Sequence, residues 1–431
     1  MKKNGILLIL LWFFVLPEET RAAIRTDDTS ASANRGGAYF TGKYPNLFKE
    51  LLNKSDTNVR LRIETAFQQL FYGNDSTERV YYPVGEDMAY VEDVLHKDVR
   101  TEGMSYGMMI AVQLDKKAEF DRLWKWTKTF MQHKSGPRKS YIAWHCRTDG
   151  VMIDSGTASD GEEWFVTCLF FAAGRWGNTS GTFNYRREAT AILDAMLNKD
   201  DVNGAGGIVT NLFDKKEHQV VFVPSPGGSG FTDPSYHLPH FYELWARWAE
   251  HDKSFWCEAA RTSRSFFKRA AHPVTGLMPD YARFDGSPFD PWKSGTNDFR
   301  FDAWRVGSNV ALDYLWFAAD PWEVAQSNKQ LEFFRSKGVT TYGHLFTLDG
   351  KQLADDHSAG LVAMNAAVAL ASTDPNRDEF VQELWNRKTP SGPYRYYDGL
   401  LTLLGLLEVS GNYRIYDPSG SPPCECPASF H

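Results

Sequence analysis

The stretch Asp98-Val-Arg-Thr-Glu-Gly-Met-Ser-Tyr-Gly-Met-Met-Ile-Ala-Val112 carries the first indication of the fold. It passes from polar into apolar residues without a break, which predicts a loop that enters a buried helix. Glu102 falls near the start of that helix. A carboxylate in a first helical turn is stabilised by the helix dipole, so a structural role explains Glu102 when it is taken alone.

Two further stretches repeat this arrangement. Asp160 lies in Ser159-Asp-Gly-Glu-Glu-Trp164, directly before an apolar run, where it is suited to cap a helix. Asp302 lies in Asp298-Phe-Arg-Phe-Asp-Ala-Trp-Arg305, where Asp302 and Arg305 share one helical face and are close enough for an ion pair. Because all three carboxylates stand beside aromatic residues at loop-to-helix junctions, we expect them to form one site.

Helical periodicity dominates the rest of the chain. Helices are predicted at residues 59–71, 105–114, 117–132, 161–174, 185–197, 236–249, 254–271, 303–319, 322–337, 359–371, 378–386 and 396–410, with short strands at 220–224 and 340–347. Consecutive helix pairs separated by long Gly-, Asp- and aromatic-rich segments favour an all-α toroid with functional loops at one rim. A plain helical bundle with long loops is the alternative, and the absence of a sequence repeat argues against an α-solenoid.

The N-terminus has the layout of a secretory signal. Lys2 and Lys3 precede an apolar run over residues 6–16, which Pro17 and small residues around Ala22 follow. We therefore expect a signal peptide at 1–22, a flexible lead-in at 23–36, one catalytic domain at 37–418 and a Pro- and Cys-containing tail at 419–431. The expected location is the periplasm or the extracellular space, without membrane attachment after the signal is removed.

Composition excludes several classes of function. The net charge of −7 is spread without a basic stripe, so nucleic acid is not an expected partner. No P-loop or nucleophile elbow is present, and the two histidines of His237-Leu-Pro-His240 lack the glutamate of a zinc protease motif. We expect neither a metal nor a cofactor. Cys146, Cys168 and Cys257 are interpreted as buried, unbridged residues.

Carboxylates gathered among aromatic rings are suited to glycoside hydrolysis. One carboxyl group must be held protonated to serve the leaving oxygen, while another stays ionised to activate water or attack. Burial raises a carboxyl pKa, and a neighbouring arginine lowers it. The chain contains 14 Trp and 19 Tyr residues, and the rings expected to stack on sugars are Trp144, Trp164, Trp304, Tyr396 and Tyr397.

Four motifs in order resemble glycoside hydrolase family 8, and the resemblance extends from residue 37 to residue 416. The motifs are residues 98–109, residues 160–164, Asp233-Pro-Ser-Tyr-His-Leu-Pro-His-Phe-Tyr242, and Asp302 with Arg305. The resemblance is strongest to members that release xylose from the reducing ends of xylo-oligosaccharides. It implies an (α/α)6 barrel, an inverting mechanism, Glu102 as general acid and Asp302 as general base.

The same resemblance implies roles for further residues. Asp160 corresponds to a carboxylate that contacts the sugar at the cleavage subsite, and Tyr236 to a tyrosine that positions the attacking water. Arg100, Trp144 and Arg305 fall in matching segments and are expected to line the cleft.

One segment departs from the pattern of the exo-acting relatives. Those relatives carry Leu-His-Pro before a late helix, where the segment blocks the cleft on the leaving side, but this chain has Asp356-His357-Ser358. His357 is retained as an expected supporting residue. Three activities thus stay open: release of xylose from xylo-oligosaccharides, endo-acting xylanase or β-glucanase activity, and non-catalytic binding of an exported sugar. The presence of both Glu102 and Asp302 opposes the third, and the oligomeric state stays open.

Overall fold

A computed structural model describes residues 36–199 and 208–419. Its α-helices are α1 (Ala38–Thr41), α2 (Leu47–Glu50), α3 (Asp56–Tyr72), α4 (Thr101–Gln113), α5 (Lys117–Trp126), α6 (Ser159–Trp176), α7 (Tyr185–Leu197), α8 (Pro239–Trp248), α9 (Lys253–Ala270), α10 (Val306–Phe317), α11 (Trp322–Ser336), α12 (Ala359–Val368), α13 (Asp378–Asn386) and α14 (Tyr397–Val409). The predicted signal peptide, lead-in and tail lie outside the described residues, apart from Gly36 and Ser419.

Short antiparallel strands connect the helices. They are β1 (Tyr81–Val84), β2 (Met88–Val91), β3 (Asp98–Arg100), β4 (His145–Arg147), β5 (Met152–Asp154), β6 (Phe213–Asp214), β7 (Gln219–Val220), β8 (Leu345–Phe346) and β9 (Gln352–Ala354). They pair as β1-β2, β3-β4-β5, β6-β7 and β8-β9. In the three-stranded sheet, Arg100 pairs with His145, which joins the loop before α4 to the loop before α6.

Within the described part of the chain, six nearly fully buried helices alternate with six amphipathic ones. The buried set is α4, α6, α8, α10, α12 and α14, and the amphipathic set is α3, α5, α7, α9, α11 and α13. Helices that are apolar on every side need protein around them, so the first set forms an inner ring and the second an outer ring. This arrangement confirms the predicted (α/α)6 barrel.

Side-chain packing closes the inner ring. Helix α4 contacts α6 and α14, and α10 contacts α8 and α12. Helices α6 and α8 meet where Trp164 packs edge-on against Phe241, with ring centroids 5.4 Å apart, and where Trp245 donates to Thr167 Oγ1 at 3.0 Å. Truncating a fully buried leucine of this ring, such as Leu403, to alanine is expected to cost about 2–5 kcal/mol of stability.

A buried ion network ties the outer ring to the inner one. Arg264 of α9 donates to both carboxylate oxygens of Asp313 in α10, at 2.6 and 2.8 Å, and to Glu243 of α8 at 2.8 Å. Removing one member would leave a buried charge uncompensated, at a cost of about 3–5 kcal/mol.

The observed elements differ from the predicted ones at helix starts and in the strands. Helix α8 begins at Pro239, after a 3-10 turn over Pro234–Tyr236, because proline lacks an N–H and fits the first turn. The predicted helix at 117–132 ends at Trp126 and continues as a π-helical turn, Thr127–Met131. The strands expected at 220–224 and 340–347 shrink to the β7 and β8 pairings, and the sheet of β3, β4 and β5 was missed.

Two details concern the cysteines and the membrane. Cys146 and Cys168 are free and buried, as expected, whereas Cys257 is disulfide-bonded, so the interpretation of Cys257 as unbridged is wrong.

None of the helices in residues 36–199 and 208–419 combines the length and apolarity needed to cross a bilayer.

Candidate active site

The N-terminal ends of the inner helices meet at one rim of the barrel. Glu102 and Asp160 lie in the first turns of α4 and α6, and Asp302 begins a 3-10 turn, Asp302–Arg305, that leads into α10. On the other side of the ring, Ser358 before α12 donates to Asp398 in the first turn of α14 at 2.6 Å. The loop-to-helix junctions predicted from sequence therefore converge.

Arg305 lies at the centre of the convergence and binds all three carboxylates. Its Nη1 donates to Glu102 Oε2 at 3.2 Å and to Asp160 Oδ2 at 3.4 Å, while Nη2 donates to Asp302 Oδ1 at 2.7 Å. The side chain of Arg305 is only 7% exposed, so water screens these charge-assisted bonds weakly. A planar guanidinium with five donors suits this bridging, which a lysine ammonium cannot reproduce.

Two hydroxyl groups complete the surroundings of Arg305. Nη1 also donates to Tyr106 Oη at 2.7 Å, and Nη2 to Ser235 Oγ at 2.9 Å. Both residues lie in the motifs quoted above, but neither was predicted as a site residue. Tyr106 stands one helical turn after Glu102 on the same face of α4, a spacing that offered a signal, whereas only the folded structure shows that Ser235 contacts Arg305.

Glu102 has the electrostatic properties of a proton donor. Burial raises the pKa of its carboxyl group to about 7, an effect that Arg305 opposes and the negative charges of Asp160 and Asp302 reinforce. A general acid works best when its pKa lies near the working pH. One fifth of the side chain, 20%, stays exposed, so the carboxyl group is not sealed from the surface.

The other two carboxylates differ in exposure. Asp302 is the most open of the three at 29%, and Asp160 is 8% exposed. Burial is the main cause that raises the pKa of Asp160. An open carboxylate anchored by one oxygen suits a residue that takes a proton from water, and a buried one suits a residue that holds the sugar.

Two glycines allow the carboxylates to come together. A Cβ on Gly161 would lie 2.5 Å from Thr101 Cβ, and a Cβ on Gly103 would lie 2.4 Å from Cε2 of the Tyr396 ring. Each glycine directly follows a carboxylate in the chain. Helix α4 can therefore approach α6 and α14 at the level of Glu102 and Asp160 only because these side chains are absent.

Tyr236 lies beside the Arg305 cluster. The guanidinium carbon of Arg305 lies 5.8 Å from the centroid of its ring, and Phe222 stacks on that ring at 6.0 Å. Burial, and then the negative charges of Asp160 and Asp302, raise the pKa of Tyr236 far above its ordinary value. Tyr236 therefore keeps its proton and can donate it in a hydrogen bond to water or sugar.

Arg100 and Trp144 support the loop that carries Glu102. Arg100 donates to Asp98 at 3.0 and 3.2 Å, and its Nη1 lies 3.2 Å from Asp93. The guanidinium of Arg100 is therefore paired with two carboxylates of the loop before α4. The carbonyl of Trp144 accepts the N–H of Thr101 at 3.0 Å. Beside Trp144, a cavity of about 250 Å³ is lined by Arg138, Asp154, Gly156, Thr157, Val209, Val223, Pro224 and Ser225.

The aromatic residues divide into two groups. Trp164, Trp304 and Tyr396 are 7%, 3% and 4% exposed and mainly pack against protein, so all three are core residues and not the sugar-stacking rings that were predicted. Trp144 and Tyr397 keep more open surface. Phe301, directly before Asp302, is 48% exposed and was missed; Tyr397 Oη donates to its carbonyl at 2.8 Å.

His357 is held by protein groups. Its Nδ1 donates to the carbonyl of Tyr342 at 2.8 Å, and its Nε2 lies 3.4 Å from Glu383 Oε1. Its neighbour Asp356 accepts at its carbonyl from His344 Nδ1 at 2.9 Å, and His344 packs edge-on against Trp304. His357 thus fixes a loop at the rim, and contact with a substrate stays a prediction.

The histidine pair at 237 and 240 is structural. His237 lies between Thr232 Oγ1 at 3.0 Å and Ser263 Oγ at 2.9 Å and stacks on Phe266, and burial lowers the pKa of both histidines to about 3. In the described segments of the chain, no group of three His, Cys, Asp or Glu side chains is arranged to hold a metal ion.

A partly exposed acid with a pKa near neutrality, two further carboxylates and flanking aromatic rings at the mouth of an (α/α)6 barrel define a glycoside hydrolase that works through carboxyl groups. Residues 91–411 match the family described as glycosyl hydrolases family 8, and the chain belongs to that family.

The comparisons also identify similar proteins. The reducing-end xylose-releasing exo-oligoxylanase Rex8A of Paenibacillus barcinonensis is 46% identical over 386 residues, which cover 88% of this chain and 98% of the relative. A family 8 protein of Teredinibacter turnerae, solved as a xylobiose complex, superimposes with a TM-score of 0.84 at 47% identity and covers 88% of this chain and 100% of its own. A second structure from that organism, a xylanase catalytic mutant with xylohexaose, gives the same values.

Proposed function

We propose that the protein hydrolyses β-1,4-xylosidic bonds in xylo-oligosaccharides with inversion and releases xylose from the reducing end. The observation that carries the proposal is the bridge formed by Arg305, which holds Glu102, with a pKa of about 7, and the open carboxylate of Asp302 at one cleft. The identity to the exo-oligoxylanase of Paenibacillus barcinonensis supports the choice of substrate and product.

The proposed reaction assigns one step to each carboxyl group. Glu102 protonates the leaving glycosidic oxygen, while Asp302 takes a proton from a water molecule that attacks the anomeric carbon from the opposite face. Asp160 holds the sugar at the cleavage point, and the Tyr236 hydroxyl orients the water. Inversion requires space for that water, so we expect the Glu102 and Asp302 carboxyl groups to lie roughly 6.5–9.5 Å apart.

The product pattern tests this proposal directly. Xylotriose is expected to give xylose and xylobiose, and borohydride-reduced xylotriose is expected to react poorly because its reducing-end ring is open. Proton NMR at early times should show the α-anomer from the β-linked substrate. Equal rates on free and reduced oligomers would contradict reducing-end recognition, and early β-anomer would contradict inversion.

The segment Asp356-His357-Ser358 is the reason to test a second candidate, an endo-acting xylanase on the same scaffold, although the relatives described as reducing-end xylose-releasing exo-oligoxylanases favour the first. It differs at two of three positions from the Leu-His-Pro segment associated with exo action, and a similar structure is described as a xylanase complex with xylohexaose. The double substitution Asp356→Leu with Ser358→Pro provides a matched comparison. If the wild type is exo-acting, both proteins leave the viscosity of polymeric xylan nearly unchanged; if it is endo-acting, the wild type lowers the viscosity rapidly and the double variant does so less.

Export is the remaining part of the proposal. Lys2, Lys3 and the apolar run over 6–16 support a signal peptide that is removed near Ala22, which would place the enzyme in the periplasm or outside the cell. N-terminal sequencing of the exported protein tests this, and recovery of residues 1–22 on mature protein would contradict it.

A further inference from the structure

Two more carboxyl groups lie beside Asp302 and have no role in the reaction described above. Asp233 precedes the 3-10 turn that carries Tyr236, and Asp280 lies in the irregular segment after α9. Both are buried, and both feel the negative charge of Asp302. Their position raises the question of what they contribute to the base side of the cleft.

Asp280 is bonded to the backbone that carries the proposed general base. Its Oδ1 accepts the N–H of Ala303, the residue directly after Asp302, at 3.0 Å. That N–H belongs to the first residues of the turn Asp302–Arg305, where backbone donors have no partner within the turn. Asp280 is itself held in place, because its own N–H donates to the carbonyl of Asp298 at 2.9 Å.

This contact fixes two functional side chains at once. Asp302 and Arg305 stand at opposite ends of the same four-residue turn, and Arg305 bonds back to Asp302 at 2.7 Å. A rotation of the peptide between Asp302 and Ala303 would move the carboxylate of Asp302 and strain that bond. The Asp280 acceptor opposes this rotation.

The surroundings favour an uncharged Asp280. The charged and titratable groups around it are Asp302, Asp233, Tyr281, Arg305 and Arg300. Burial, followed by the charge of Asp302, raises the pKa of Asp280 far above its ordinary value, although both arginines oppose this. A second negative charge here would compete with Asp302 for Arg305.

The contacts of Asp233 favour an uncharged carboxyl group at that position too. Its Oδ1 accepts the N–H of Ser235 at 2.7 Å, but its Oδ2 is buried and has no partner among the described residues. A bare, buried carboxylate oxygen is costly when the group is ionised and less so when it is protonated. By contrast, the side chain of Asp302 is 29% exposed, so water can reach its carboxyl group.

We propose that Asp280 is a positioning residue for the general base: as the hydrogen-bond acceptor for the N–H of Ala303, it anchors the Asp302–Arg305 turn and so aims the carboxylate of Asp302 at the attacking water. The inference rests on the proposed function of Asp302. It requires an acceptor at the Oδ1 position of Asp280 and does not require a charge there.

Three substitutions in the full chain separate these requirements. Asp280→Asn keeps an acceptor without charge, Asp280→Glu keeps a carboxyl group but displaces it by one methylene, and Asp280→Ala removes the acceptor. With xylotriose as substrate, we expect kcat to fall roughly tenfold in Asp280→Ala and Asp280→Glu, with KM within about twofold, and Asp280→Asn to recover most of that loss. Asp285→Ala, an exposed position in the same segment, is the matched control and should behave as wild type.

A substrate with a good leaving group reports which step is affected. β-Xylobiosyl fluoride, in which fluoride leaves from the same face as the natural β-linked sugar, needs no proton from Glu102 but still needs a base for the attacking water. The loss in Asp280→Ala should therefore persist on the fluoride, whereas the loss in Glu102→Ala should shrink. If Asp280→Ala does not fold, as judged by thermal unfolding, the comparison of the Asn and Glu variants decides.

Three results would overturn the proposed role of Asp280. An Asp280→Asn protein that is folded yet as slow as the Glu variant would overturn the inference, as would a loss confined to KM or a loss that disappears on the fluoride. Failure of the proposed function is recognised separately, since Glu102→Ala and Asp302→Ala would then keep wild-type rates on xylotriose.

Discussion

The pH dependence of the reaction follows from the surroundings of Glu102. Burial raises the pKa of this carboxyl group from 4.5 to about 7. Each pKa unit corresponds to about 1.4 kcal/mol, so the site disfavours the ionised form by about 3 kcal/mol relative to water. In the proposed reaction Glu102 acts as general acid only while it is protonated, so we expect activity below pH 7 and a loss of activity as the pH rises through that value.

The size of the loss distinguishes this pKa from an ordinary one. With a pKa of about 7, the protonated fraction of Glu102 falls about tenfold between pH 6 and pH 8 and about a hundredfold between pH 6 and pH 9. A glutamate with an unperturbed pKa would already lose about a hundredfold between pH 6 and pH 8. The expected losses of activity between pH 6 and pH 8 therefore differ by about tenfold between the two pKa values.

The assay is the initial rate of xylose release from xylotriose at low substrate, because kcat/KM reports the pKa of the free enzyme. Samples held at each pH and returned to pH 6 must regain full activity, which excludes denaturation. β-Xylobiosyl fluoride is the matched control, since its rate of hydrolysis should not fall at alkaline pH. That fall in rate is called the alkaline limb of the pH profile. An alkaline limb below about pH 5.5, or one that persists unchanged on the fluoride, would refute the reasoning.

Three other substitutions have defined outcomes. Asp160→Asn removes a charge that raises the pKa of Glu102, so the alkaline limb should move to lower pH; a shift to higher pH would contradict the stated cause. Arg305→Lys keeps a positive charge but loses the planar guanidinium that binds several carboxylates at once. We expect kcat to fall about a hundredfold or more while the circular dichroism spectrum stays unchanged. A fall of less than about threefold would contradict the bridging role of Arg305. Burial raises the pKa of Glu408 to about 7, so the native state holds a proton that the unfolded state releases near pH 4.5, and stability is lost as the pH rises from about 4.5 to about 7. Glu408→Gln should remove this loss and add about 3 kcal/mol at pH 8 in urea unfolding, whereas equal pH profiles for the two proteins would show that Glu408 is not protonated in the fold.

The sequence is sufficient to predict where a site residue lies when neighbouring residues in the chain carry the signal. Glu102, Asp160 and Asp302 each stand where polar residues give way to an apolar helix, and a barrel of helix pairs places such junctions at one rim. The family motifs then predict different roles for the three residues. The helix boundaries were less certain because proline and tight turns act at the first residues, as Pro239 shows.

The central role of Arg305 was not accessible from sequence. An arginine three residues after an aspartate indicates a local ion pair, and that pair exists, but its bonds to α4, α6 and Ser235 come from residues distant in the chain. Asp280 was missed for the same reason. It lies in an irregular segment without periodicity, and its partner Ala303 is 23 positions away.

The glycines at 103 and 161 bear on how sequences of this kind are judged. A side chain at either position would meet Tyr396 or Thr101 at distances that Cβ atoms essentially never show, so the contacted side chain or the helix that carries it would have to shift. A gene product could therefore retain every acidic and basic residue of the site and still be a poor catalyst, because a single methyl group had pushed the proton donor away from Arg305. A list of catalytic residues would count such a protein as an active enzyme, whereas the loss of the dipeptide Glu-Gly or Asp-Gly would predict that it is a poor catalyst.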